Sequence, residues 1–420
     1  MCIRHKNLCG WVVANAVLLI TGCTSFDPRP LESPPYVARA AIQEQAGVRV
    51  RAAVLSAKEA EQEFGLPLAK SGIQPVWLRI ENHSKRDYWL VLPSVDPNYF
   101  ASDEVAYLHA SSFHSSLNQR MADYLRTRRI GLLSRPGQVT EGFVYANRDE
   151  GLKYVPLVLS GHGNSLNYGF SFVIPDAPFD WRQVDLEKLY PTLVQRDLNE
   201  AQLRAWLDQL PCCVSNEAGT QAGDPVNLVV VGSLPALHAA FAAAHWDMTE
   251  RVTVGSAAQM TESFLFDTSD LYSPVSPLYL FGRKQDMALQ KARHTIDQRI
   301  HLRLWLAPVT SARQPVWVGQ ISRDIGVRFT EHSPTLTTHK IDPEVDEARD
   351  YLFSDLGLGG YLARVAFVSG VGETPANRPR PNLTGDPWFS DGLRVVLFVG
   401  EQHRSLQDLE FLHWERFTWQ

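Results

Sequence analysis

The chain has 420 residues, 45% of them hydrophobic, and a formal net charge of −6 at pH 7. A chain of this length usually forms more than one domain, and this apolar content is sufficient for buried cores. The negative charge argues against nucleic acid as a partner, because nucleic-acid binding depends on clustered Lys and Arg.

The first predicted element is a secretion signal over residues 1–22. Arg4 and Lys6 form a basic start, and the apolar run at 11–20 is too short for a membrane span, which needs about 20 apolar residues. The run ends in Leu19-Ile-Thr-Gly-Cys23, which resembles the bacterial lipobox. This resemblance implies that Cys23 is acylated, with diacylglycerol and a further chain such as palmitate, and holds the protein at a membrane. A buried helix with an incidental Cys is the alternative.

The segment after the predicted anchor is rich in Pro. We expect residues 23–40 to form an extended tether that lifts the folded part off the membrane. Thr24 rather than Asp follows the modified Cys, which favours the outer over the inner membrane under the common sorting rule. The expected location is therefore the bacterial cell envelope, with the protein facing the periplasm.

The cysteines are consistent with export but do not predict a disulfide framework. Of the five, Cys2 and Cys9 leave with the signal and Cys23 is lipidated, so the adjacent pair Cys212–Cys213 remains. The pair could form a strained disulfide in an oxidising periplasm. Two thiols in a turn after Pro211 is the interpretation that we favour.

Residues 41–175 form the first predicted folded domain. Short alternating or β-rich runs are separated by polar turn clusters, and several such strands predict a β-sandwich. The predicted strands are Val48–Leu55, Pro75–Asn82, Tyr88–Leu92, Val139–Asn147, Lys153–Ser160 and Tyr168–Ile174.

A helical insertion over Ser102–Arg129 interrupts the predicted sandwich. Its second half carries a cluster of four arginines, which could meet lipid phosphates or form an ordinary solvated helix face. These arginines are Arg120, Arg126, Arg128 and Arg129.

A helical linker is predicted over residues 176–225. Its helix runs from Asp197 to Leu210, with Asp197 as N-cap and Glu200 completing a box-like start. The apolar stripe of this helix consists of Leu203, Trp206, Leu207 and Leu210.

Residues 226–400 alternate predicted strands with helices, and residues 401–420 form a tail. The predicted fold class is α+β: an N-terminal β-sandwich with a helical insertion, followed by a C-terminal mixed α/β domain. The predicted strands are Val226–Gly232, Leu278–Arg283, Arg299–Ala307, Val316–Ser322, Arg364–Val368 and Leu393–Gly400. The predicted helices are Leu234–Trp246, Val254–Phe266 and Pro343–Leu356.

Several stretches of this second domain together resemble the LssY C-terminal domain family. The resemblance covers about residues 224–370 and continues less clearly to Gly400. The stretches that carry it are Asp224–Gly232, Ser273–Arg283, His301–Trp305, Trp317–Gly319, Asp324–Gly326 and Thr338–Asp350.

The resemblance implies a fold and an association with membranes, but no reaction. Members of the family are often fused to integral-membrane lipid phosphatase or DedA-type domains, and the family has no established activity. Ser233 follows a buried strand and precedes a helix, but the Gly-x-Ser-x-Gly pattern of a nucleophile elbow is missing. We predict no cofactor.

One candidate site consists of His339, Asp342 and Asp346. A His and two carboxylates that converge at a helix start could bind a divalent cation. In the alternative interpretation, Asp342 caps the helix that begins at Pro343, and Asp346 favours the positive end of the helix dipole.

The second candidate site is the polar face of a strand. Alternation places Arg299, His301, Arg303 and Trp305 on one face, and the next strand offers Trp317 and Arg323. Two Trp beside basic groups could hold an anion such as a lipid phosphate or a polysaccharide acid. Alternatively, the Asp-rich helix at 342–350 covers this face and its carboxylates pair with the arginines.

We therefore expect a membrane-anchored envelope lipoprotein with a binding or structural role. Its candidate ligand is an anionic envelope molecule, either an anionic lipid or a polysaccharide. The alternative is an envelope hydrolase that acts on a lipid-phosphate or other envelope substrate through the C-terminal domain. A pocket of open titratable groups would favour the enzyme, and a closed Arg–Asp network would favour the binding or structural role.

Overall fold

The computed structural model describes residues 26–112, 114–149, 151–174, 189, 196–248, 277–292, 299–329 and 337–415. The predicted signal peptide, Cys23 and the helix predicted at 254–266 lie outside these ranges. Within them, no helix combines the length and the apolar character that crossing a bilayer requires.

The first unit is a sandwich of two four-stranded antiparallel sheets. Apolar side chains from alternate positions meet between the sheets, with Val50 and Leu78 on one side and Leu157 and Phe170 on the other. The first sheet, in the order β1-β2-β3-β6, contains Ala41–Gln45 (β1), Val48–Val54 (β2), Ile73–Asn82 (β3) and Val139–Asn147 (β6). The second, in the order β5-β4-β7-β8, contains Tyr88–Leu90 (β4), Leu133–Ser134 (β5), Leu152–Gly161 (β7) and Asn164–Val173 (β8).

Helices cover the outer face of the first sheet. The predicted insertion consists of two helices, and together with the helix Ala57–Phe64 (α2) it packs on Trp77, Phe143 and Tyr145. The helix α2 begins with a Ser56–Glu59 capping box, which satisfies its first backbone N–H groups. The helices of this unit are Pro35–Ala38 (α1), Ala57–Phe64 (α2), Leu92–Val95 (α3), Ser102–Leu108 (α4) and Ser115–Arg128 (α5).

The predicted tether lies against these helices from Phe26 onward. The ring of Phe26 meets Tyr124 edge to face, with centroids 5.7 Å apart, and the backbone N–H of Arg29 donates to Gln62 at 2.9 Å. Tyr36 on α1 is 3% exposed. This part of the segment therefore belongs to the folded unit and does not stand clear of it.

The second unit is built on a mixed ten-stranded sheet. Its main path has the order β13-β16-β17-β18-β12-β23-β20-β24, with β9 paired to β17 and β19 paired to β18. These strands are Arg196–Leu198 (β9), Leu228–Val231 (β12), Asp247–Met248 (β13), Met287–Ala292 (β16), Arg299–Ser311 (β17), Gln314–Phe329 (β18), Thr337–Ile341 (β19), Leu362–Ser369 (β20), Leu393–Val399 (β23) and Glu410–Leu412 (β24).

Two small sheets flank the large one. The first has the order β11-β10-β14-β15, and the second pairs β21 with β22. The strand predicted over Leu278–Arg283 is in fact a tight hairpin of two short strands, β14 and β15. The strands of the two small sheets are Cys213–Ser215 (β10), Ala222–Pro225 (β11), Tyr279–Leu280 (β14), Arg283–Lys284 (β15), Arg380–Pro381 (β21) and Pro387–Trp388 (β22).

Helices bury both faces of the large sheet. On one face, Leu302 and Leu304 pack with helices Leu234–Ala243 (α7) and Val345–Leu358 (α8). On the other, Val309 packs with helix Glu200–Asp208 (α6).

Two helix starts differ from the prediction. The N-cap of α6 is Asn199, whose side chain accepts from the backbone N–H of Gln202, while Asp197 lies on β9 and accepts from Thr310. Helix α8 begins at Val345 rather than Pro343.

The second sheet extends beyond residues 226 and 400, the predicted limits of its domain. The strand β9, which starts at Arg196, lies parallel to β17, and β24 lies parallel to β20. Trp414 packs in the core beneath α6 and is 8% exposed. Part of the predicted linker and part of the predicted tail are therefore structural components of the second unit.

Arg394 on β23 links the C-terminal end of α6 to this sheet through hydrogen bonds. Its side chain is fully buried, and its guanidinium donates to four main-chain carbonyl oxygens. Their distances are 2.7 Å for Leu207, 3.1 Å for Leu210, 2.9 Å for Pro211 and 2.8 Å for Gly370. A helix leaves its last carbonyls without intrahelical donors, so one cation serves here as the cap of α6.

The adjacent cysteines follow directly after this cap. Cys212 and Cys213 are joined by a disulfide bond, so the interpretation as two thiols, which the sequence favoured, is wrong. Arg380 contacts Cys212 Sγ at 3.5 Å.

The two units share an apolar interface. Helix α7 packs against β7 and β8 of the sandwich, and Leu152 enters the core of the second unit. Tyr154 and Tyr361 meet edge to face with centroids 6.1 Å apart. A Cβ on Gly169 would lie 2.2 Å from Tyr154 Oη, so this close approach requires glycine.

Candidate functional site

The long hairpin of β17 and β18 carries the predicted polar face. Its two-residue turn, Ala312-Arg313, has φ of 49° and 62°, as expected for a turn that matches the twist of its strands. Alternation places the four predicted side chains on one face, but that face is buried. The exposed fractions are 4% for Arg299, 6% for His301, 5% for Arg303 and 0% for Trp305.

Asp324 on the neighbouring strand is the centre of a charged network on this face. Its carboxylate accepts from Arg299 Nε at 3.2 Å and from His301 Nε2 at 2.9 Å. His339 Nδ1 on β19 lies 3.9 Å from the same carboxylate. The Asp324 side chain is 1% exposed, whereas that of His339 is 33% exposed. His339 therefore lies at the solvent side of the network.

The hydrogen bonds define the proton position on His301. Its Nδ1 lies 3.2 Å from Arg303 Nη1 and must accept, because a guanidinium can only donate. The proton therefore sits on Nε2 and points at Asp324. Arg303 also donates to Gln320 at 2.9 Å, and Gln320 donates to Ser322 at the same distance. Both ring nitrogens of His301 are thus engaged within the network.

Burial and charge act against each other on these groups. Burial would raise the pKa of Asp324, but His301, His339 and Arg299 outweigh it and hold that pKa well below its usual range. Desolvation lowers the pKa of His301 to about 4, although Asp324 acts in the opposite direction. Burial also lowers the pKa of Arg303 to about 10, against the attraction of Asp224 and Asp324. At neutral pH the network thus contains a neutral His between an Asp carboxylate and an Arg guanidinium.

Asp224 extends the charged region toward β11. It accepts from Asn382 at 3.2 Å, and burial raises its pKa while Asn382 and Arg303 oppose that shift. Arg303 therefore lies in the field of two carboxylates, Asp224 and Asp324.

The two Trp residues do not form the predicted anion pocket. Trp305 donates to the backbone oxygen of Arg283 at 3.1 Å, whereas Trp317 belongs to the core on the opposite face of the sheet. Arg323 is also on that opposite face, with its guanidinium 5.8 Å from the ring centre of Tyr351.

The alternative prediction was that carboxylates of the helix at 342–350 pair with the arginines on this face. An Arg–Asp pair is present there, but the carboxylate does not come from that helix. Helix α8 packs on the opposite, apolar face of the sheet and not on the arginines. The carboxylate that pairs with Arg299 comes from the adjacent strand instead. On α8 itself, Arg349 pairs with Asp391 in a bidentate contact at 2.7 and 3.0 Å.

The predicted metal ligands have separate partners. Asp342 accepts from the backbone of Glu344 at 3.1 Å, and Asp346 accepts from Ser390 at 2.9 Å and from the backbone of Asp391 at 2.6 Å. His339 lies beside Asp324. Among the described residues, no three His, Cys, Asp or Glu side chains are grouped as a metal site, so the set His339, Asp342 and Asp346 is not brought together.

Ser233, the residue at the position of a nucleophile elbow, is the N-cap of α7. Its Oγ accepts from the backbone N–H of Ala236 at 3.2 Å and donates to Glu401 at 2.8 Å. The hydroxyl therefore has a structural role in this arrangement.

Together these features define an α+β protein in which a β-sandwich is followed by a mixed sheet with a buried charged network. Residues 207–393 match the family model described as LssY C-terminus. This part of the chain belongs to the LssY C-terminal domain family, and the resemblance inferred from the sequence is confirmed. The Asp324 network lies entirely within the matched residues. No curated protein gives a significant match to the chain.

Proposed function

We propose that the protein is a lipid-anchored component of the bacterial envelope, exposed to the periplasm, whose LssY C-terminal unit has a binding or structural role. The lipobox-like sequence at Cys23 supports the anchor. The closed network around Asp324 supports the role, because Arg299 and His301 both donate to Asp324 and Arg303 donates to His301.

The burial of this network is the observation that carries the proposed role. An anionic lipid or polysaccharide at this face would have to displace Asp324 from Arg299 and His301. A hydrolase would need a titratable group that faces its substrate, whereas both ring nitrogens of His301 are engaged. Under this proposal the polar face of β17 serves as scaffold.

Replacing Arg303 with Gln tests this assignment. The variant leaves buried acceptors and a buried charge without their partner, so we expect the melting temperature to fall by about 5 °C or more. Arg313→Gln, at the exposed turn of the same hairpin, should melt as the wild type does. Unchanged melting of Arg303→Gln, combined with lost binding to phosphatidylglycerol vesicles or an acidic polysaccharide, would show that this face recognises a ligand.

Replacing Cys23 with Ala tests the anchor. We expect an unprocessed or soluble protein, because the modified Cys supplies all the acyl chains and several chains are needed for stable anchoring. Membrane fractions washed with carbonate should retain the wild type and the Cys9→Ala variant, which changes the predicted signal but leaves Cys23 in place. Retention of Cys23→Ala at the wild-type level would rule out the lipid anchor.

A further inference from the structure

A cavity of about 220 Å³ opens in the sandwich where the end of α5 meets the edge strand β6. Its walls come from four segments: the start of α3, the residues before α4, the chain that leaves α5, and the middle of β6. The residues that line it include Leu92, Phe100, Ala101, Arg126, Arg129 and Ile130.

The walls of this cavity are held in place by the backbone. The N–H of Ile130 donates to Phe143 at 2.9 Å, and the N–H of Phe100 donates to Tyr145 at 2.7 Å. A Cβ on Gly142 would lie 2.6 Å from the Ile130 nitrogen, so the chain after α5 is in direct contact with β6. The segments at Phe100 and Ile130 are therefore both hydrogen-bonded to β6, so the cavity is preformed.

Of the arginines near the cavity, Arg126 and Arg128 are paired with carboxylates, whereas Arg129 is available to bind a ligand. Arg126 pairs with Asp103 at 2.5 Å and Asp123 at 2.9 Å, and Arg128 pairs with the buried Glu63. Arg129 also lines the cavity and is exposed. Within the part of the chain that the structure describes, the Arg129 guanidinium has neither a hydrogen bond nor an ion pair.

We propose that this cavity binds a small monoanionic amphiphile, a carboxylate that carries a short acyl chain. The carboxylate pairs with Arg129, which offers the forked donor geometry that carboxylates match. The chain lies against Leu92, Phe100 and Ile130. The volume is below the range of about 300–1,000 Å³ that holds drug-sized ligands, so one short chain fits and a whole phospholipid does not. This site is in the sandwich and does not depend on the role proposed for the second unit.

The experiment titrates octanoate into the purified chain from Thr24 onward, which lacks the predicted signal and the acylated Cys23, in detergent-free buffer, and measures binding by calorimetry. Octanamide, which has the same chain without the charge, is the matched ligand. We expect saturable binding of octanoate that is at least about tenfold tighter than that of octanamide, the contribution of one charge-assisted contact. Arg129→Glu should lose this preference. Arg120→Glu makes the same charge change on the exposed face of α5, away from the cavity, and should keep it.

A second variant tests the cavity itself. Ala101 lines the space, so Ala101→Phe fills it and should abolish binding of both compounds while circular dichroism confirms a folded protein. Equal binding of octanoate and octanamide would overturn the assignment to Arg129. If Arg120→Glu lost the preference for octanoate to the same extent as Arg129→Glu, the preference would come from the overall charge of α5 and not from Arg129. Unchanged binding in Ala101→Phe, or no octanoate binding to the wild type at millimolar concentration, would overturn the site.

Discussion

Replacing Arg394 with Gln is expected to lower the free energy of unfolding by about 3–5 kcal/mol. The Arg donates to the carbonyls of Leu207, Leu210, Pro211 and Gly370, and Gln can serve only part of that set. Each buried acceptor that loses its donor costs about 1–3 kcal/mol. Burial lowers the pKa of Arg394 to about 10, against the attraction of Asp208, so the side chain is still charged at neutral pH.

Urea unfolding of the wild type and the variant measures this loss. Arg404→Gln is the matched control, because Arg404 is exposed on the last part of the same unit. Its midpoint should equal that of the wild type. A loss below about 1 kcal/mol in Arg394→Gln would mean that water replaces the guanidinium and that this arginine is not the cap of α6.

Replacing Asp324 with Asn is expected to cost about 3–5 kcal/mol at pH 7, the usual effect of removing one partner from a buried ion pair. Arg299 loses its counter-charge from β18, and the neutral amide cannot accept as strongly from His301. The exposed Asp408 offers the same substitution as a control, and Asp408→Asn should leave the melting temperature unchanged. A loss no larger than that of the control would show that the network contributes little to folding.

The same network predicts how stability depends on pH. The pKa of Asp324 is depressed in the folded state, so its stabilisation is complete above the unfolded value of about 4 and is lost as the pH falls further. The pKa of His301 is lowered to about 4, whereas unfolded His titrates near 6.5. The unfolded state therefore binds a proton first, and stability falls as the pH drops from about 6.5 to 4.

Thermal melts between pH 7 and 3 separate the two contributions. His301→Gln should flatten the upper part of the curve, between about pH 6.5 and 4, and Asp324→Asn should flatten the part below pH 4. The same dependence of melting temperature on pH in His301→Gln and in the wild type, between pH 6.5 and 4, would contradict a buried neutral His301.

The sequence predicted the faces of β17 and did not predict what each face meets. Alternation is a local property, so it placed Arg299 and Arg303 together without reference to the rest of the chain. The face of the sheet on which the Trp317 side chain lies depends on the length of the turn between β17 and β18. The two-residue turn pairs Ser311 with Gln314, and a register shift between Leu306 and Thr310 then pairs Leu306 with Trp317, which puts this Trp on the apolar face. A turn longer by one residue would reverse the assignment.

Asp324 lies in one of the stretches that resemble the family, but nothing in the sequence marks it as the centre of the network. Its partners Arg299 and His301 are more than 20 residues away in the sequence, and they meet it only through the register of the hairpin. A single Asp in a strand forms no local sequence pattern, so its contact with Arg299 and His301 could not be predicted from the sequence. The start of α8 was misplaced for a local reason, since Asp342 forms a turn with Glu344 and delays the helix to Val345.

The contact of Phe26 with Tyr124 limits the length of chain between the folded unit and the anchor proposed at Cys23. Cys23 is only three residues before Phe26, and three residues span at most about 10 Å. If Cys23 is acylated as proposed, the folded unit is joined to the lipid by a linker of at most about 10 Å. A sandwich anchored in this way would lie close to the lipid surface and would turn about a single point, which would limit the orientations it presents to other envelope molecules.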